Sequence, residues 1–218
     1  MTEQHEFDRD YWERHWHQAQ HDRPGAMSTS PAHPYLARET VDLAPGSALD
    51  AGCGAGAEAI WLASHGWQVT AVDIAPVALA RAARRAADSG VSERVRWVEA
   101  DLTEWAPESP FDLVTTHYAH PAMPQLAFYD RIAGWVAPGG TLLIVGHLHT
   151  PAATEQGHGH GQEHGHHPPE EASVTLADIT AGLESVSWEI RTAEEHRRTV
   201  PGREAPLHDV VVRATRRR

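Results

Sequence analysis

The segment LDAGCGAGAEAIWLA, residues 49–63, constrains the fold more than any other part of the chain. An apolar residue and an aspartate lead into Gly52, Gly54 and Gly56, and a helical run of small residues follows. Without a side chain, glycine lets the backbone turn sharply and approach a ligand closely. Three glycines at alternate positions between an apolar strand and a helix therefore predict a strand–turn–helix unit with a ligand at the turn.

The flanking pattern repeats that unit. Residues 47–50 read as a short strand, 57–65 as a helix stopped by Gly66, and 67–72 as a strand ending at Asp73. Pro76 opens an alanine- and arginine-rich helix that runs to Ser89. Residues 95–99 and 111–115 are further strands, and 125–136 is a helix with Leu126, Tyr129, Ile132 and Val136 on one face. Pro138-Gly139-Gly140 is a turn before an apolar strand over 141–145. Apolar strands alternating with helices mean a parallel sheet covered on both faces and joined by right-handed crossovers.

The ends of the chain differ in character. Residues 1–20 form an amphipathic helix with Phe7, Tyr11, Trp12 and Trp16 at helical spacing, 21–35 a loop, and a helix around 35–42 leads to Pro45-Gly46. PAATEQGHGHGQEHGHHPPEE is polar and of low complexity, and a flexible loop is expected over 151–170. Thr175 and Asp178 read as a capping pair for a helix with the stripe Leu176, Ile179 and Leu183. Val186, Trp188 and Ile190 alternate with Ser187, Glu189 and Arg191, a half-exposed strand, and 210–212 is a last apolar strand. This closing pair is expected to add antiparallel to the sheet edge.

Composition removes several functions. The 218 residues suffice for one α/β domain, and 41% hydrophobic with 22% charged residues is ordinary globular usage. A formal charge of −12 argues against a nucleic-acid groove, which needs a basic face. All 18 cationic side chains are arginine, so Schiff-base and P-loop lysine chemistry are excluded. Cys53 is the one cysteine, so no intramolecular disulfide forms. The start MTEQHEFDRD has no apolar h-region and no apolar run is long enough to span a bilayer, so a cytoplasmic protein without a membrane partner is expected.

The glycine loop satisfies two patterns. Gly52, Gly54 and Ala57 fit the dinucleotide fingerprint G-x-G-x-x-A. The three alternate glycines after an acid fit a methyltransferase loop. The flanking acids discriminate. Asp50 would repel a pyrophosphate docked at the helix N-terminus, yet suits an ammonium group. Asp73 ends the second strand, where a carboxylate accepts from both ribose hydroxyls. Asp101, in EADLTEW after the third strand, is placed to accept from an adenine amino group while the Leu102 backbone reads the ring edge.

Together DAGCGAG, VTAVDI, EADL, FDLV and APGG resemble the class I S-adenosylmethionine-dependent methyltransferases over residues 35–150. The compact chain and its YWERHW segment are most similar to the small tellurite-resistance and thiopurine type group. The resemblance implies an α/β, Rossmann-like, doubly wound seven-stranded mostly parallel sheet with an antiparallel C-terminal strand and helices on both faces. Residues 1–218 would be a single methyltransferase domain with an aromatic helical cap over 1–34. It implies S-adenosyl-L-methionine as cofactor, with Asp50, Gly52, Gly54 and Gly56 around its methionine part, Asp73 and Ile74 at the ribose and adenine, and Asp101 and Leu102 at the adenine. Cys53 is expected to pack beneath the cofactor, Thr116 joins the cofactor set, and Trp16 is a candidate lid.

Methyl transfer from a sulfonium is an in-line displacement in which orientation supplies much of the rate. A base matters only when the acceptor must lose a proton. The acceptor is expected above the fourth and fifth strands, where His117, Tyr118, His120, His147 and His149 gather. Imidazole titrates at about 6.5, so these are candidate bases or binding groups; packing at a pocket mouth and metal ligation are the competing readings. His158, His160, His164, His166 and His167 are candidate ligands of a divalent transition metal, although their spacing lacks the geometry of a structural zinc site. A composition-drifted surface insertion and a lid over the pocket are the other readings of that loop. The expected partner is a small-molecule acceptor, either a soft sulfur, selenium, tellurium or metalloid species or a metabolite hydroxyl or amine, with the chain a monomer or homodimer. A metal-binding or sensor protein on the same scaffold and a nicotinamide-dependent oxidoreductase are the alternatives.

Overall fold

The computed structural model describes residues 7–22, 30–148, 174–198 and 207–218. Its strands are β1 (Ser47–Ala51), β2 (Gln68–Asp73), β3 (Val95–Glu99), β4 (Phe111–His117), β5 (Val136–His147), β6 (Trp188–Arg198) and β7 (Leu207–Arg216). They form one sheet in the order β3-β2-β1-β4-β5-β7-β6. The first five pair in parallel, and β7 is antiparallel to both β5 and β6, so β7 alone runs against the rest. The helices are α1 (Arg9–Asp22), α2 (Pro34–Thr40), α3 (Ala57–Ser64), α4 (Pro76–Asp88), α5 (Gln125–Ala133) and α6 (Leu176–Gly182). This is the doubly wound sheet with one antiparallel C-terminal strand that the sequence pattern implies. The strand order reverses between β1 and β4, and open sheets of this kind hold ligands outside the strand ends at that point.

Both sheet faces are covered because the strands are apolar at successive positions. Leu142 and Ile144 of β5 enter one core with Phe128 and Ile132 of α5, whereas Leu143 and Val145 enter the other with Leu36 of α2 and Leu62 of α3. β7 behaves alike, sending Val210 and Val212 to the first core and Val211 to the second. The period-two alternation of side chains across a strand thus feeds two separate cores from one continuous apolar run. The Thr175–Asp178 capping box expected at the start of α6 is formed in both directions.

Three expectations need correction. The inner face of α5 is Gln125, Phe128, Tyr129, Ile132 and Ala133, whereas Leu126 is 38% exposed and Val136 already belongs to β5. The apolar stripe was centred one position off because Gln125, a polar residue, is buried to bond the Ala119 carbonyl at 3.0 Å. β5 begins before the Pro-Gly-Gly turn. Phe111 pairs with Val136 and Leu113 with Thr141, so residues 137–140 bulge out opposite one residue of β4. A Cβ on Gly140 would lie 2.9 Å from the Asp112 carbonyl oxygen, which explains a glycine there. Finally, β6 starts at Trp188, and Val186 stands 83% exposed before it. No helix among the described residues is long and apolar enough to cross a membrane.

The reassigned face of α5 is testable by urea unfolding. Phe128→Ala should cost ~3–5 kcal/mol, the usual loss for a fully buried phenylalanine. Leu126→Ala should stay within about 0.5 kcal/mol, as for an ordinary surface position.

Candidate cofactor and acceptor site

At the switch point the strand ends and α1 enclose a cavity of about 390 Å³. Its floor is the glycine loop. Gly52 and Cys53 donate their amides to the Val72 carbonyl at 2.9 and 3.0 Å, which binds the loop down onto β2. Gly52, Gly54 and Gly56 all have positive φ, at 81°, 49° and 77°. A Cβ on Gly52 would lie 2.3 Å from the Ala119 Cβ, and one on Gly54 would lie 2.9 Å from Trp16 Cζ2. These two glycines are required by close approach as well as by conformation. Gly56 has a different task. It caps α3 away from the cavity wall, and a Cβ there would strike Trp97 at 2.6 Å and Ala82 at 2.8 Å.

The acidic positions separate in the same way. Asp73 lies on the cavity wall and accepts from the Gly54 amide at 2.7 Å and the Ala75 amide at 2.9 Å. Burial raises its pKa, opposed by those amides. Each carboxylate oxygen keeps a further lone pair for a hydroxyl donor. Asp101 and Leu102 follow on the wall beside Ile74. Asp101 turns one oxygen to the Thr103 amide at 2.8 Å, a local turn that fixes the carboxylate. Asp50 is different: at 1% exposed it lies beneath the loop and off the cavity wall. Burial, with Glu58 and Asp73 nearby, holds its pKa well above the usual carboxylate range, and its Oδ2 has no hydrogen-bond partner. Thr116 is also off the wall, donating to the Ala51 carbonyl at 2.9 Å and so tying β4 to β1.

Cys53 lies on the wall, and burial pushes its thiol well above the ordinary range, so it is a neutral packing side chain. Trp16 closes the loop from above, with Arg81 over its ring at 5.8 Å and Arg81 Nη2 donating to its carbonyl at 3.1 Å. Trp12 donates its indole N–H to the His120 carbonyl at 3.3 Å, and Phe7 stacks on Trp12 at 6.0 Å. The aromatic face of α1 is therefore the roof of the cavity.

The acceptor end gathers His117, Tyr118 and His120 on the wall. His117 sets Nδ1 3.3 Å from Thr115 Oγ1, and its buried Nε2 has no hydrogen-bond partner. Burial lowers its pKa. His120 bonds Gln125 at 3.1 Å through Nδ1, and burial lowers its pKa too. Tyr118 has φ 55°, a left-handed conformation costing a non-glycine residue about 1–3 kcal/mol. Its amide donates to the Val145 carbonyl at 2.9 Å, and its ring lies 4.3 Å from that of His147. His147 itself is off the wall, 3.6 Å from Asp209 Oδ1. His149 and the five loop histidines, His158, His160, His164, His166 and His167, lie outside the described residues. Among the described residues no group of three or more His, Cys, Asp or Glu side chains is arranged to hold a metal ion.

Sequence reasoning missed His33, Glu58, Arg85, Arg198 and Asp209. His33 caps α2, and its Nε2 lies 3.3 Å from the Tyr118 hydroxyl. Its backbone amide donates to Glu58 at 2.9 Å, and burial, with His117 and Arg198 adding, lowers its pKa to about 4. Arg85 reaches the Ala55 and Ser30 carbonyls at 2.9 and 2.8 Å. Arg198 donates through Nε to the fully buried Asp209 at 2.9 Å. Burial would raise the Asp209 pKa, but His147 and Arg198 outweigh it and bring it to about 2. A weak signal was present for Asp209 alone, which stands one residue before an apolar triplet.

The sheet order, the glycine loop and an acid at the end of β2 define a nucleoside-binding α/β protein. Residues 48–140 match the family model described as a methyltransferase domain. An uncharacterized methyltransferase of Mycobacterium bovis is 39% identical over 107 residues, covering 48% of this chain and 52% of its own. The chain spans about half the length of the curated relatives it matches. Among solved structures, the N-methyltransferase NodS from Bradyrhizobium japonicum in complex with S-adenosyl-L-homocysteine superposes with a TM-score of 0.68 at 16% identity, over 94% of this chain and 97% of that one. TehB from Haemophilus influenzae gives 0.67 at 13% identity, over 96% of this chain and 67% of that one. Residues 48–140 are thus similar to a methyltransferase domain, and the described fold is the one shared with these solved structures. The near-equal likeness to two structures of different names shows the shared fold and selects no subgroup within it.

The wall fits a nucleoside cofactor in specific respects: two glycines that tolerate no Cβ, and a β2 carboxylate with lone pairs to spare. Gly54→Ala should lower affinity for S-adenosylhomocysteine at least tenfold, about 1.4 kcal/mol, because the new methyl displaces Trp16. Titration calorimetry on the two proteins checks this.

Proposed function

We propose that the protein transfers a methyl group from S-adenosylmethionine to a small-molecule acceptor whose nucleophilic atom lies at His117. The observation that carries this reading is the unpartnered, buried Nε2 of His117 on the cavity wall. A buried polar atom without a partner costs about 1–3 kcal/mol, which an acceptor N–H, O–H or S–H would recover. S-adenosylmethionine supplies an electrophilic methyl group when bound. Asp73 and Ile74 would hold its ribose, Asp101 and Leu102 its adenine, and Gly52, Cys53 and Gly54 would border its methionine part under Trp16.

The chain's own residues then orient the acceptor and handle its proton. Burial keeps the His117 ring neutral near pH 7, so a lone pair at Nε2 accepts the proton that the acceptor loses. Thr115 holds the ring by its other nitrogen. The aromatic roof of Phe7, Trp12 and Trp16 keeps water from the methyl group. A small acceptor is supported by size and charge. One cavity of about 390 Å³ must serve both reactants. A net charge of −12 disfavours a nucleic-acid substrate.

Titration with S-adenosylhomocysteine is the first test, and an absence of binding would overturn the reading. The second uses transfer of labelled methyl groups to an acceptor found in a metabolite extract. The rate should be full above about pH 6.5 and fall as pH drops through the lowered His117 pKa, since only the neutral ring accepts a proton. His117→Gln should reduce kcat by roughly 10²–10⁴-fold while affinity for S-adenosylhomocysteine stays within about twofold.

A further inference from the structure

We propose that Arg198 is the recognition residue for the acceptor and that the acceptor is a small organic acid, bound through its carboxylate. This rests on the methyl-transfer reading and specifies its substrate class. Two guanidinium groups reach the cavity wall among the described residues, and they differ in what they have left to give. Arg85 spends both terminal nitrogens on backbone carbonyls, Nη1 on Ala55 and Nη2 on Ser30. Arg198 commits Nε to Asp209 at 2.9 Å and offers Nη2 to the Tyr118 hydroxyl at a long 3.5 Å. Its Nη1 makes no hydrogen bond among the described residues. The outer edge of its planar fork, Nη1 with Nη2, is the edge that takes a carboxylate by two parallel hydrogen bonds.

The surroundings hold that edge in place. Asp209 is 0% exposed, so a cavity ligand meets the guanidinium and not its counter-ion. Asp209 is itself fixed in the β5–β7 ladder, paired with His147. Arg198 is fixed at the end of β6, opposite Leu207. Tyr118 and His33 continue the polar row inward. The Tyr118 hydroxyl lies 3.3 Å from His33 Nε2, and the His33 and His117 rings are 6.5 Å apart. His33 Nδ1 accepts the Tyr35 amide at 3.4 Å, which leaves its proton on Nε2, facing the Tyr118 oxygen, so the Tyr118 O–H is left to donate at this end. Of the acidic groups on the wall, Asp73 and Asp101 lie at the proposed nucleoside positions, and Glu58, the one beside this row, is turned to the His33 amide. One end of the acceptor space thus presents donors and a positive edge, and its other walls, Phe7, Trp12 and Pro121, are apolar. An apolar or planar body with a carboxylate fits this division. A row of contacts from His117 through His33 and Tyr118 to Arg198 separates the reacting atom from the bound carboxylate.

The proposal is tested on the full chain saturated with S-adenosylhomocysteine, using phenylacetate against phenylacetamide, and cyclohexanecarboxylate against its amide, as matched probes. In the wild type at least one acid should bind tenfold or more tightly than its amide. Arg198→Gln should remove that preference, and Arg198→Lys, which keeps the charge and the Asp209 partner but loses the fork, should reduce it severalfold. Affinity for S-adenosylhomocysteine should be unchanged in both variants. If Arg198 serves only to join β6 and β7, the variants will lower the melting temperature while the acid-to-amide ratio stays as in the wild type, which overturns the proposal. So does the absence of any acid preference in a wild type that binds S-adenosylhomocysteine. Failure of S-adenosylhomocysteine to bind at all would instead overturn the methyl-transfer reading.

Discussion

The hydrogen bond from the Gly54 amide to Asp73 Oδ2, at 2.7 Å, is the contact on which the site depends. It joins the first strand–helix turn to the end of β2, and with the Gly52 and Cys53 amides on Val72 it makes the loop part of the sheet edge. A loop pinned in this way cannot rise to meet a ligand, so the ligand must come down to it. Two of its glycines cannot carry a side chain because Ala119 packs against Gly52 and Trp16 against Gly54. The left-handed backbone at Gly52 and Gly54 is held by these bonds and not by the local sequence alone.

The parallel part of the fold was legible because apolar runs and turn residues agree at every step. Strands β1 to β4 and helices α3 and α4 begin and end within a residue or two of where the apolar runs, Gly66 and Pro76 lead one to expect them. The misreadings have physical causes. A buried glutamine disguised the inner face of α5, because its hydrogen bond to Ala119 makes a polar residue a core residue. The bulge in β5 hid a longer strand behind a Pro-Gly-Gly turn, since glycine next to proline marks a chain reversal and a bulge equally well.

Which residues line the glycine-loop end of the cavity was more legible than which line the histidine end. Gly52, Gly54, Asp73 and Asp101 stand in short motifs whose spacing carries meaning. Asp50 shows the limit of that logic. Its position in the motif suggests contact with a ligand, whereas the side chain is buried beneath the turn and off the cavity wall. The acceptor half draws His33, His117, Tyr118, Arg198 and Asp209 from positions spread over nearly the whole chain. No spacing rule links residues that meet only through sheet order. His117 and Tyr118 were found because they follow a strand, and Arg198 and Asp209 escaped because β6 and β7 extend past the apolar stretches that mark them in the sequence.

β7 runs against the other six strands, so its beginning, rather than its end, reaches the cavity edge. The end of β6 and the start of β7 therefore meet there, and within the sheet they join the other strands through the β5–β7 ladder. On the proposed reading, the methyl donor and the methyl acceptor would be addressed by different stretches of chain, one built before residue 105 and one completed after residue 195. Exchange of the terminal hairpin could alter what is methylated and leave the donor cradle intact, a division of labour that lets one scaffold diversify by its tail.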